Sequence, residues 1–266
     1  MKTWNDSQSD VRLAYDDTGD GVPIILIHAF PMDRHMWQPQ RSSLSSTVRM
    51  ITPDLPGFGN SPAHNWSVDG IATVLGRFIQ EVAPGEKVVI GGLSMGGYVA
   101  LAFARHHPEL LRGLILADTK AEPDAPAAKA AREQSMTLVK EQGVPALFAQ
   151  MEPKALGETT RAQRPDVVSQ ARSIANCQPA EGVLAALVAL RDRPDATDGL
   201  TKVNVPTLVI VGAEDTITPL SGAETMAKAI PQAKLVTIPT AGHLSNLETA
   251  SEFTDAIRDY LSTLPR

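Results

Sequence analysis

The chain has 266 residues, of which 43% are hydrophobic and 20% are charged, so it can bury a substantial core in one large domain and lacks the composition of a disordered protein. The formal net charge is −6 and basic residues form no run, which argues against nucleic acid as a partner. A single cysteine, Cys177, excludes an internal disulfide and a cysteine-rich metal site.

Neither targeting nor membrane insertion is indicated by the sequence. Residues 1–8 lack the apolar core of a signal peptide, and no apolar stretch approaches the length of a membrane span. We therefore expect a cytoplasmic protein without a membrane partner.

The first part of the chain is predicted to form strands joined by turns. Residues 11–15 alternate apolar and polar as an edge strand does, and the cluster 16–21 is a predicted turn. Residues 24–27 are continuous, apolar and mostly β-branched, which indicates a strand buried on both faces. Residues 48–52 predict a further strand, which leads into a loop rich in proline and glycine at 53–59.

A helix and then a strand–turn–helix unit follow. Ser67 is a predicted helix cap, and apolar residues recur at helical spacing over 68–82. Residues 87–91 are mostly apolar and predict a strand, 92–96 read Gly-Leu-Ser-Met-Gly, and 97–105 are amphipathic. A strand, a Gly-x-Ser-x-Gly turn and a helix in that order are typical of a nucleophile elbow.

Ser94, the serine of this turn, is expected to project its hydroxyl above the sheet, next to the N-terminus of the following helix. The turn is so tight that side chains at positions 92 and 96 would collide with the neighbouring strand and helix, which explains the two glycines. Short Gly-Ser-Gly patterns also arise by chance in loops. Here the strand before and the helix after supply the context that the motif requires.

The alternation of strands and helices is interrupted once. From about residue 121 to 198 no convincing strand is found, and the spacing of apolar residues predicts a mostly helical insertion. The alternation then resumes. Outside the insertion, the remaining predicted strands are 114–116, 205–211 and 234–238, and the remaining predicted helices are about 219–230 and 247–261.

This order of elements predicts an α/β fold with a mainly parallel sheet and helices on both faces. In such sheets, ligands bind beyond the carboxyl ends of the strands. The polar residues that directly follow predicted strands are therefore expected at one edge of the sheet. These residues are Ser94, Asp118, Asp215 and His243.

A nucleophilic serine needs a base within hydrogen-bonding reach, and that base needs a carboxylate to orient it. His243 is the predicted base because it follows the last strand and because histidine can exchange a proton near neutral pH. Asp215 is the preferred acid because it follows the penultimate strand, which gives the order serine, acid, histidine. Asp118 is its rival. Glu214 is not expected to face the histidine together with Asp215, because successive side chains diverge.

Attack on a carbonyl places negative charge on its oxygen, which two backbone N–H groups normally receive. Met95, directly after the serine, is expected to supply one from the start of its helix. The loop after the early apolar strand is expected to supply the other from Phe30, since Pro31 has no N–H. Asp54 is expected to organise its own proline-glycine loop.

These motifs together resemble the α/β-hydrolase fold family, over nearly the whole chain. The resemblance implies a catalytic serine at Ser94, an acid at Asp215 and a base at His243, with Phe30 and Met95 forming the oxyanion hole. The matching segments are 28–31, 54–61, 92–97, 212–215 and 242–243.

The resemblance also implies a domain organisation. Residues 1–120 and 199–266 would form the hydrolase core, and residues 121–198 a helical cap over the site. One position departs from the family pattern, since His28 is followed by Ala29 where the family usually has glycine. An alanine there is strained if the position needs a positive φ.

Within the family, the segment from Gly92 to Asp118 and beyond is similar to small bacterial carboxylesterases and 3-oxoadipate enol-lactonases. The segments 30–31 and 36–37 also resemble cofactor-free haloperoxidases, which are esterases with perhydrolase side activity. Ser94 argues against the related subfamilies that use an aspartate nucleophile, the haloalkane dehalogenases and epoxide hydrolases.

We predict a serine hydrolase that cleaves carboxylic esters of small acyl or aryl substrates through an acyl-enzyme, with no metal or organic cofactor. The alternatives are a lactonase of the enol-lactone kind, an esterase with perhydrolase side activity and, in a different class, a hydrolase-fold protein that binds a small ligand. A carboxylated lactone would favour a cation in the pocket, although each candidate can instead be a solvated surface charge. Candidate cations are Arg34, Lys129, Arg132 and Arg161, and candidate pocket walls, which can instead pack inside the cap, are Met136, Leu138, Leu147, Phe148 and Met151.

Overall fold

The computed structural model describes residues 1–264, which form one eight-stranded sheet and ten α-helices. The strands are β1 (Lys2–Asn5), β2 (Arg12–Thr18), β3 (Pro23–Ile27), β4 (Arg49–Pro53), β5 (Val88–Leu93), β6 (Leu111–Ala117), β7 (Thr207–Gly212) and β8 (Ala233–Ile238). The helices are α1 (Gln38–Leu44), α2 (Val68–Val82), α3 (Met95–His106), α4 (Pro126–Ala155), α5 (Glu158–Gln163), α6 (Pro165–Asn176), α7 (Ala180–Arg191), α8 (Leu220–Ala229), α9 (Ser245–Glu248) and α10 (Ala250–Ser262). Short 3₁₀ helices cover Arg34–Trp37, Pro108–Leu110 and Thr197–Lys202.

The strand order across the sheet is β1-β2-β4-β3-β5-β6-β7-β8. The six strands from β4 to β8 run parallel to one another, whereas β2 is antiparallel to both β1 and β4. β3 and β5 are buried along their whole length, as expected for parallel strands covered on both faces.

Side chains that alternate along each strand enter two separate cores, one on each face of the sheet. Ile25 and Ile27 of β3 enter the first core, to which α2, α3 and α8 contribute. Ile24 and Leu26 enter the second core, to which α1 and α10 contribute. The predicted α/β fold, with a mainly parallel sheet and helices on both faces, is therefore confirmed.

Helix α2 begins where the sequence predicts. Ser67 Oγ accepts a hydrogen bond from the N–H of Gly70 at 3.1 Å and so caps the helix. Ile71, Leu75 and Phe78 recur at helical spacing and are buried in the first core, where α2 contacts α3. The amphipathic pattern thus places α2 against the helix that follows Ser94.

The prediction of an edge strand at residues 11–15 is wrong. β2 lies between β1 and β4, and Leu13, Ala14 and Tyr15 are all buried. β1 forms the edge instead. Because Trp4 is the one buried residue among its four, β1 carries too little apolar pattern to be predicted.

Two helices on the second face also differ from expectation. α1 has no counterpart among the predicted elements, because its sequence is polar and its buried residues are Gln40 and Leu44. The predicted final helix at 247–261 is divided into α9 and α10 at Thr249, whose φ of −131° and ψ of 63° are not helical.

Residues 121–198 are all described and contain α4 to α7 with no strand. α4 is kinked at Gly143, where φ is 82°. Whether these helices form a separate cap with those boundaries stays a prediction.

Within residues 1–264, no single helix is long and apolar enough to cross a membrane. Only α6 and α7 taken together meet that criterion of length and composition, and they are bent by 95°.

At two places, a pair of glycines brings the inserted segment into close contact with the rest of the chain. A Cβ on Gly182 of α7 would lie 1.8 Å from the carbonyl oxygen of Gly57. A Cβ on Gly242 would lie 2.3 Å from the nitrogen of Gly157. Backbone touches backbone at both places, so neither contact leaves room for a side chain.

Candidate active site

Ser94 lies on a tight turn between β5 and α3. Its φ of 54° and ψ of −110° are unusual for a residue other than glycine. A Cβ on Gly92 would lie 2.1 Å from the carbonyl carbon of Gly96, and a Cβ on Gly96 would lie 2.1 Å from the carbonyl oxygen of Ile27. The predicted collisions with the following helix and the neighbouring strand are therefore confirmed.

Three loops at the carboxyl edge of the sheet bring Ser94, Asp215 and His243 together. His243 Nε2 lies 2.8 Å from Ser94 Oγ, and His243 Nδ1 lies 2.8 Å from Asp215 Oδ2. The three residues follow β5, β7 and β8, so parallel strands carry them to one edge although 149 positions separate Ser94 from His243. All three are buried, with Ser94 the most accessible at 9% exposure.

The carboxylate of Asp215 is held in place from several sides. Its Oδ1 accepts hydrogen bonds from the N–H groups of Ile217 and Thr218 at 2.7 and 3.0 Å, and its Oδ2 accepts one from Thr218 Oγ1 at 2.6 Å. Burial raises the pKa of Asp215, but the His243 ring and these donors outweigh burial and hold that pKa below its usual value. An ionised Asp215 requires the proton of His243 on Nδ1, which leaves the Nε2 lone pair facing Ser94.

Asp118, the rival acid, lies close by but has other partners. Its Oδ1 accepts from the N–H of Gly212 at 2.8 Å and its Oδ2 accepts from Ser245 Oγ. Burial, and then the charge of Asp215, raises the pKa of Asp118 well above its usual value. The structure thus brings Asp215, and not Asp118, to the ring of His243.

Glu214 points away from the histidine, as expected. Its carboxylate accepts hydrogen bonds from the N–H, at 2.9 Å, and the hydroxyl of Thr159 at the start of α5. Glu248, which no sequence pattern singled out, is buried nearby and accepts from the N–H groups of Gly157 and Leu244 at 2.8 and 3.1 Å. The two carboxylates therefore fasten α5 beside the loop that carries His243.

Two predicted N–H donors are free to receive an oxygen. Met95 is the first residue of α3, so its N–H has no partner within the helix. The N–H of Phe30 makes no hydrogen bond within residues 1–264, whereas that of Ser94 donates to the carbonyl of Ala117 at 2.9 Å.

Ala29 is not strained in the way that the family pattern suggested. Within residues 1–264, the non-glycine residues with a positive φ are Ser94 and Asp118.

His28 has a role that the sequence did not reveal. Its Nδ1 lies 2.9 Å from the carbonyl oxygen of Ala29, and its Nε2 accepts from the N–H of Leu55 at 2.9 Å. Burial lowers the pKa of His28, which keeps the ring neutral with its proton on Nδ1. The ring therefore joins the loop of Phe30 to the loop at 53–59. Its position directly after a buried strand is the signal that could have indicated this role.

Arg34, a candidate pocket cation, is instead an internal structural group. It is 4% exposed and forms ion pairs with Asp16 and Asp54. Asp54 also accepts from the N–H of Asn60 at 2.9 Å, so it organises its own loop as predicted. The charge of Arg34 is therefore neutralised by ion pairs within the fold.

The other candidate cations lie in the inserted helices. Arg132 forms an ion pair with Asp124 at 3.1 Å, whereas Lys129 and Arg161 are exposed. All five candidate wall residues pack in the two cores, which favours the packing alternative. Met136, Leu147 and Phe148 are buried there, and Leu138 and Met151 are half-buried.

Residues 1–264 contain no group of three or more His, Cys, Asp and Glu that is placed to hold a metal ion.

Comparison with known proteins gives the family. Residues 22–250 match the model of a family described as alpha/beta hydrolase fold. The solved structure of a thermophilic esterase from Thermogutta terrifontis superimposes with a TM-score of 0.92, at 42% sequence identity, over 95% of this chain and 93% of that one. The chain therefore belongs to the α/β-hydrolase fold family, as its motifs predicted.

The names of two further relatives state a specific activity. The structure of an enol-lactonase from Burkholderia xenovorans LB400 superimposes with a TM-score of 0.85 at 26% identity, over 95% of this chain and 97% of that one. A pimeloyl-[acyl-carrier protein] methyl ester esterase from Neisseria meningitidis is 30% identical and covers 90% of this chain and 92% of its own. Together with the fold, these relatives support a hydrolase.

Proposed function

We propose that the protein is a serine hydrolase that cleaves carboxylic esters of small acyl or aryl substrates through an acyl-enzyme. The observation that carries the proposal is the unbroken chain of hydrogen bonds from Asp215 through His243 to Ser94, with 2.8 Å at each end of the ring. A hydroxyl in this arrangement can lose its proton as it attacks a carbonyl carbon.

In the first half of the reaction, Ser94 Oγ attacks the ester carbonyl while His243 Nε2 takes its proton. The N–H groups of Phe30 and Met95 receive the charge that develops on the carbonyl oxygen, where one such donor contributes about 3 kcal/mol. The imidazolium, which Asp215 stabilises, then gives its proton to the leaving alcohol as the ester bond breaks.

In the second half, water repeats the attack on the acyl group bound to Ser94. His243 takes a proton from the water, and the bond to Ser94 Oγ breaks as the serine regains its proton and the acid leaves. The side chains present account for every proton transfer, so the proposal needs no cofactor.

A lactonase is the second candidate, because the enol-lactonase shares the fold at 26% identity. A lactone is a cyclic ester, so Ser94 and His243 would serve unchanged. The ion pairs of Arg34 weaken the case for a carboxylated lactone, because Asp16 and Asp54 already neutralise the charge of this side chain. The greater likeness to an esterase, at 42% identity, favours an esterase over a lactonase.

The first test is covalent trapping. A fluorophosphonate probe should add its mass to the purified protein at Ser94, while the Ser94→Ala variant should stay unmodified. Ser94→Ala should also lower kcat by about 10⁴-fold or more, with an unchanged circular dichroism spectrum. An unmodified wild-type protein after long exposure would contradict the proposal.

The second test is a substrate panel that separates the candidates. It compares p-nitrophenyl acetate and butyrate, a methyl ester of pimelic acid, and an enol-lactone that bears a carboxylate. We expect the highest kcat/KM for the short acyl esters, and faster turnover of the enol-lactone would favour a lactonase. Tight binding of a small ligand without turnover of any panel member would favour a binding protein.

A further inference from the structure

We propose that Asp118 and Thr119, at the carboxyl end of β6, are positioning residues that hold the nucleophile, the acid and the base in register. The inference rests on the proposed roles of Ser94, Asp215 and His243. β6 lies between the strand that precedes Ser94 and the strand that precedes Asp215, so its end is central to all three loops.

The end of β6 holds the serine turn by both of its backbone polar groups. The N–H of Ser94 donates to the carbonyl of Ala117 at 2.9 Å, and the hydroxyl of Thr119 donates to the carbonyl of Ser94 at 2.9 Å. A Cβ on Gly97 would lie 2.4 Å from Thr119 Oγ1, so Gly97, directly after the motif, makes room for this contact. The unusual φ and ψ of Ser94 are thus stabilised from the neighbouring strand.

The carboxyl group of Asp118 joins the other two loops. Its Oδ1 accepts from the N–H of Gly212, whose carbonyl accepts from the N–H of Asp215 at 3.1 Å. Its Oδ2 accepts from the hydroxyl of Ser245, two residues after His243. One side chain therefore links the acid loop directly to the base loop.

The backbone and burial of Asp118 are consistent with such a role. Its φ is 42°, a conformation that aspartate adopts more readily than most residues, and it is fully buried. A buried carboxyl group is costly unless its hydrogen bonds are satisfied. Asp215 and Glu248 are the charged neighbours that add to this cost, and both disfavour ionisation of Asp118.

The reaction is sensitive to this geometry because a displacement of about 1 Å between reacting groups can cost about 100-fold in rate. Loss of the Asp118 carboxyl group should let the loops of Asp215 and His243 move relative to each other. The rate of the chemical step should then fall, while binding of the substrate in the pocket should change little.

The test compares Asp118→Ala, Thr119→Val and Asp118→Asn by kcat, KM and the rate of fluorophosphonate labelling at Ser94. We expect Asp118→Ala to lower kcat and the labelling rate by about 10- to 100-fold with little change in KM. Thr119→Val, which keeps the side-chain shape, should lower both by about 10-fold. Asp118→Asn should restore most of kcat, because an amide can still accept from Gly212 and pair with Ser245.

Asp6→Asn is the matched control for a loss of stability alone. Asp6 is a buried carboxylate that pairs with Arg77 on α2, away from the three loops. It should lose stability at unchanged kcat when all variants are assayed well below their melting temperatures. If Asp118→Ala does not fold, Ser245→Ala removes one of the same hydrogen bonds and should lower kcat in the same direction.

Unchanged kcat and labelling rate in folded Asp118→Ala or in Thr119→Val would overturn the positioning role. An Asp118→Asn variant as inactive as Asp118→Ala would overturn it as well, since the hydrogen bonds would then not be what matters. Failure of the proposed function looks different, because wild-type Ser94 would then not be labelled at all.

Discussion

Asp215 and Asp118 are two buried aspartates at the ends of neighbouring strands, and their hydrogen bonds give them different tasks. Asp215 receives two N–H groups, a threonine hydroxyl and the ring of His243, and its pKa lies below the usual value. Asp118 receives one N–H and one hydroxyl, and burial raises its pKa. The different environments therefore give the two aspartates different roles. Asp215 is the charged partner of the base, and Asp118 connects two loops by hydrogen bonds.

Exchange of Asp215 for asparagine should be the more damaging of two matched substitutions. Asp215→Asn should lower kcat by about 10⁴-fold, because the amide favours the wrong tautomer of His243 and cannot stabilise the imidazolium. Asp118→Asn should be mild by comparison. Steady-state kinetics on p-nitrophenyl acetate measures both, and a reversed order would mean that the acid is assigned to the wrong residue.

His243→Ala tests the base independently of the acid. It should abolish most activity, by about as much as Ser94→Ala, because the two side chains act as a unit. Labelling by the fluorophosphonate should also become very slow, while the circular dichroism spectrum should show that the fold is intact. Activity near the wild-type level would remove His243 from the mechanism.

At the scale of elements, glycines determine how closely the secondary structures approach one another. Gly182 lies inside α7, where alanine is normally the better helix former. It is nevertheless required there, because a Cβ would lie 1.8 Å from the carbonyl oxygen of Gly57 in the loop after β4. Both Gly57 and its neighbour Phe58 lie in the loop that His28 holds through Leu55. Contact between α7 and this loop therefore links the inserted helices to the side of the site that bears Phe30.

The contact makes opposite predictions for two glycines in helices. Gly182→Ala should lower the free energy of unfolding by about 1–3 kcal/mol, since α7 must move away from the loop. Gly222→Ala in α8 should raise it by up to about 1 kcal/mol, because nothing lies within 4 Å of the added Cβ and alanine favours the helix. Urea unfolding measures both, and stabilisation by Gly182→Ala would contradict the close packing of these backbones.

At the scale of the whole molecule, the two ends of the sheet differ from its centre. The central strands β3 and β5 are held by cores on both faces, whereas β1 buries one residue and depends on contacts made by its neighbours. Trp4 Nε1 donates to Glu81 at 2.8 Å, and Asp6 pairs with Arg77, so both contacts tie the edge to α2. Polar contacts with α2 therefore stabilise the β1 edge, whereas burial stabilises the middle of the sheet.

The Asp6–Arg77 pair predicts how stability depends on pH. The hydrogen bond with Arg77 lowers the pKa of Asp6 from 3.8 to about 2, so its contribution is full above pH 4 and is lost as the pH falls towards 2. Asp6→Asn should therefore lower the free energy of unfolding at pH 7 by about 1–2 kcal/mol. Urea midpoints at pH 7 and pH 3 should show that the difference between variant and wild type shrinks on acidification. A difference that is independent of pH would show that the ion pair is not its source.

The sequence by itself determined the fold class and the position of the serine, because both depend on local patterns. Apolar runs such as 24–27 report burial directly, and the glycines around Ser94 report a turn that admits no side chain. It favoured Asp215 over Asp118 from strand order alone, and only the structure shows that the carboxylate of Asp215 contacts the ring of His243. The sequence could not show that Arg34 is buried, or that β2 is interior once β1 pairs with it. Those outcomes depend on contacts between residues far apart in the chain, such as Asp118 with Ser245, which exist only after the strands have assembled into the sheet.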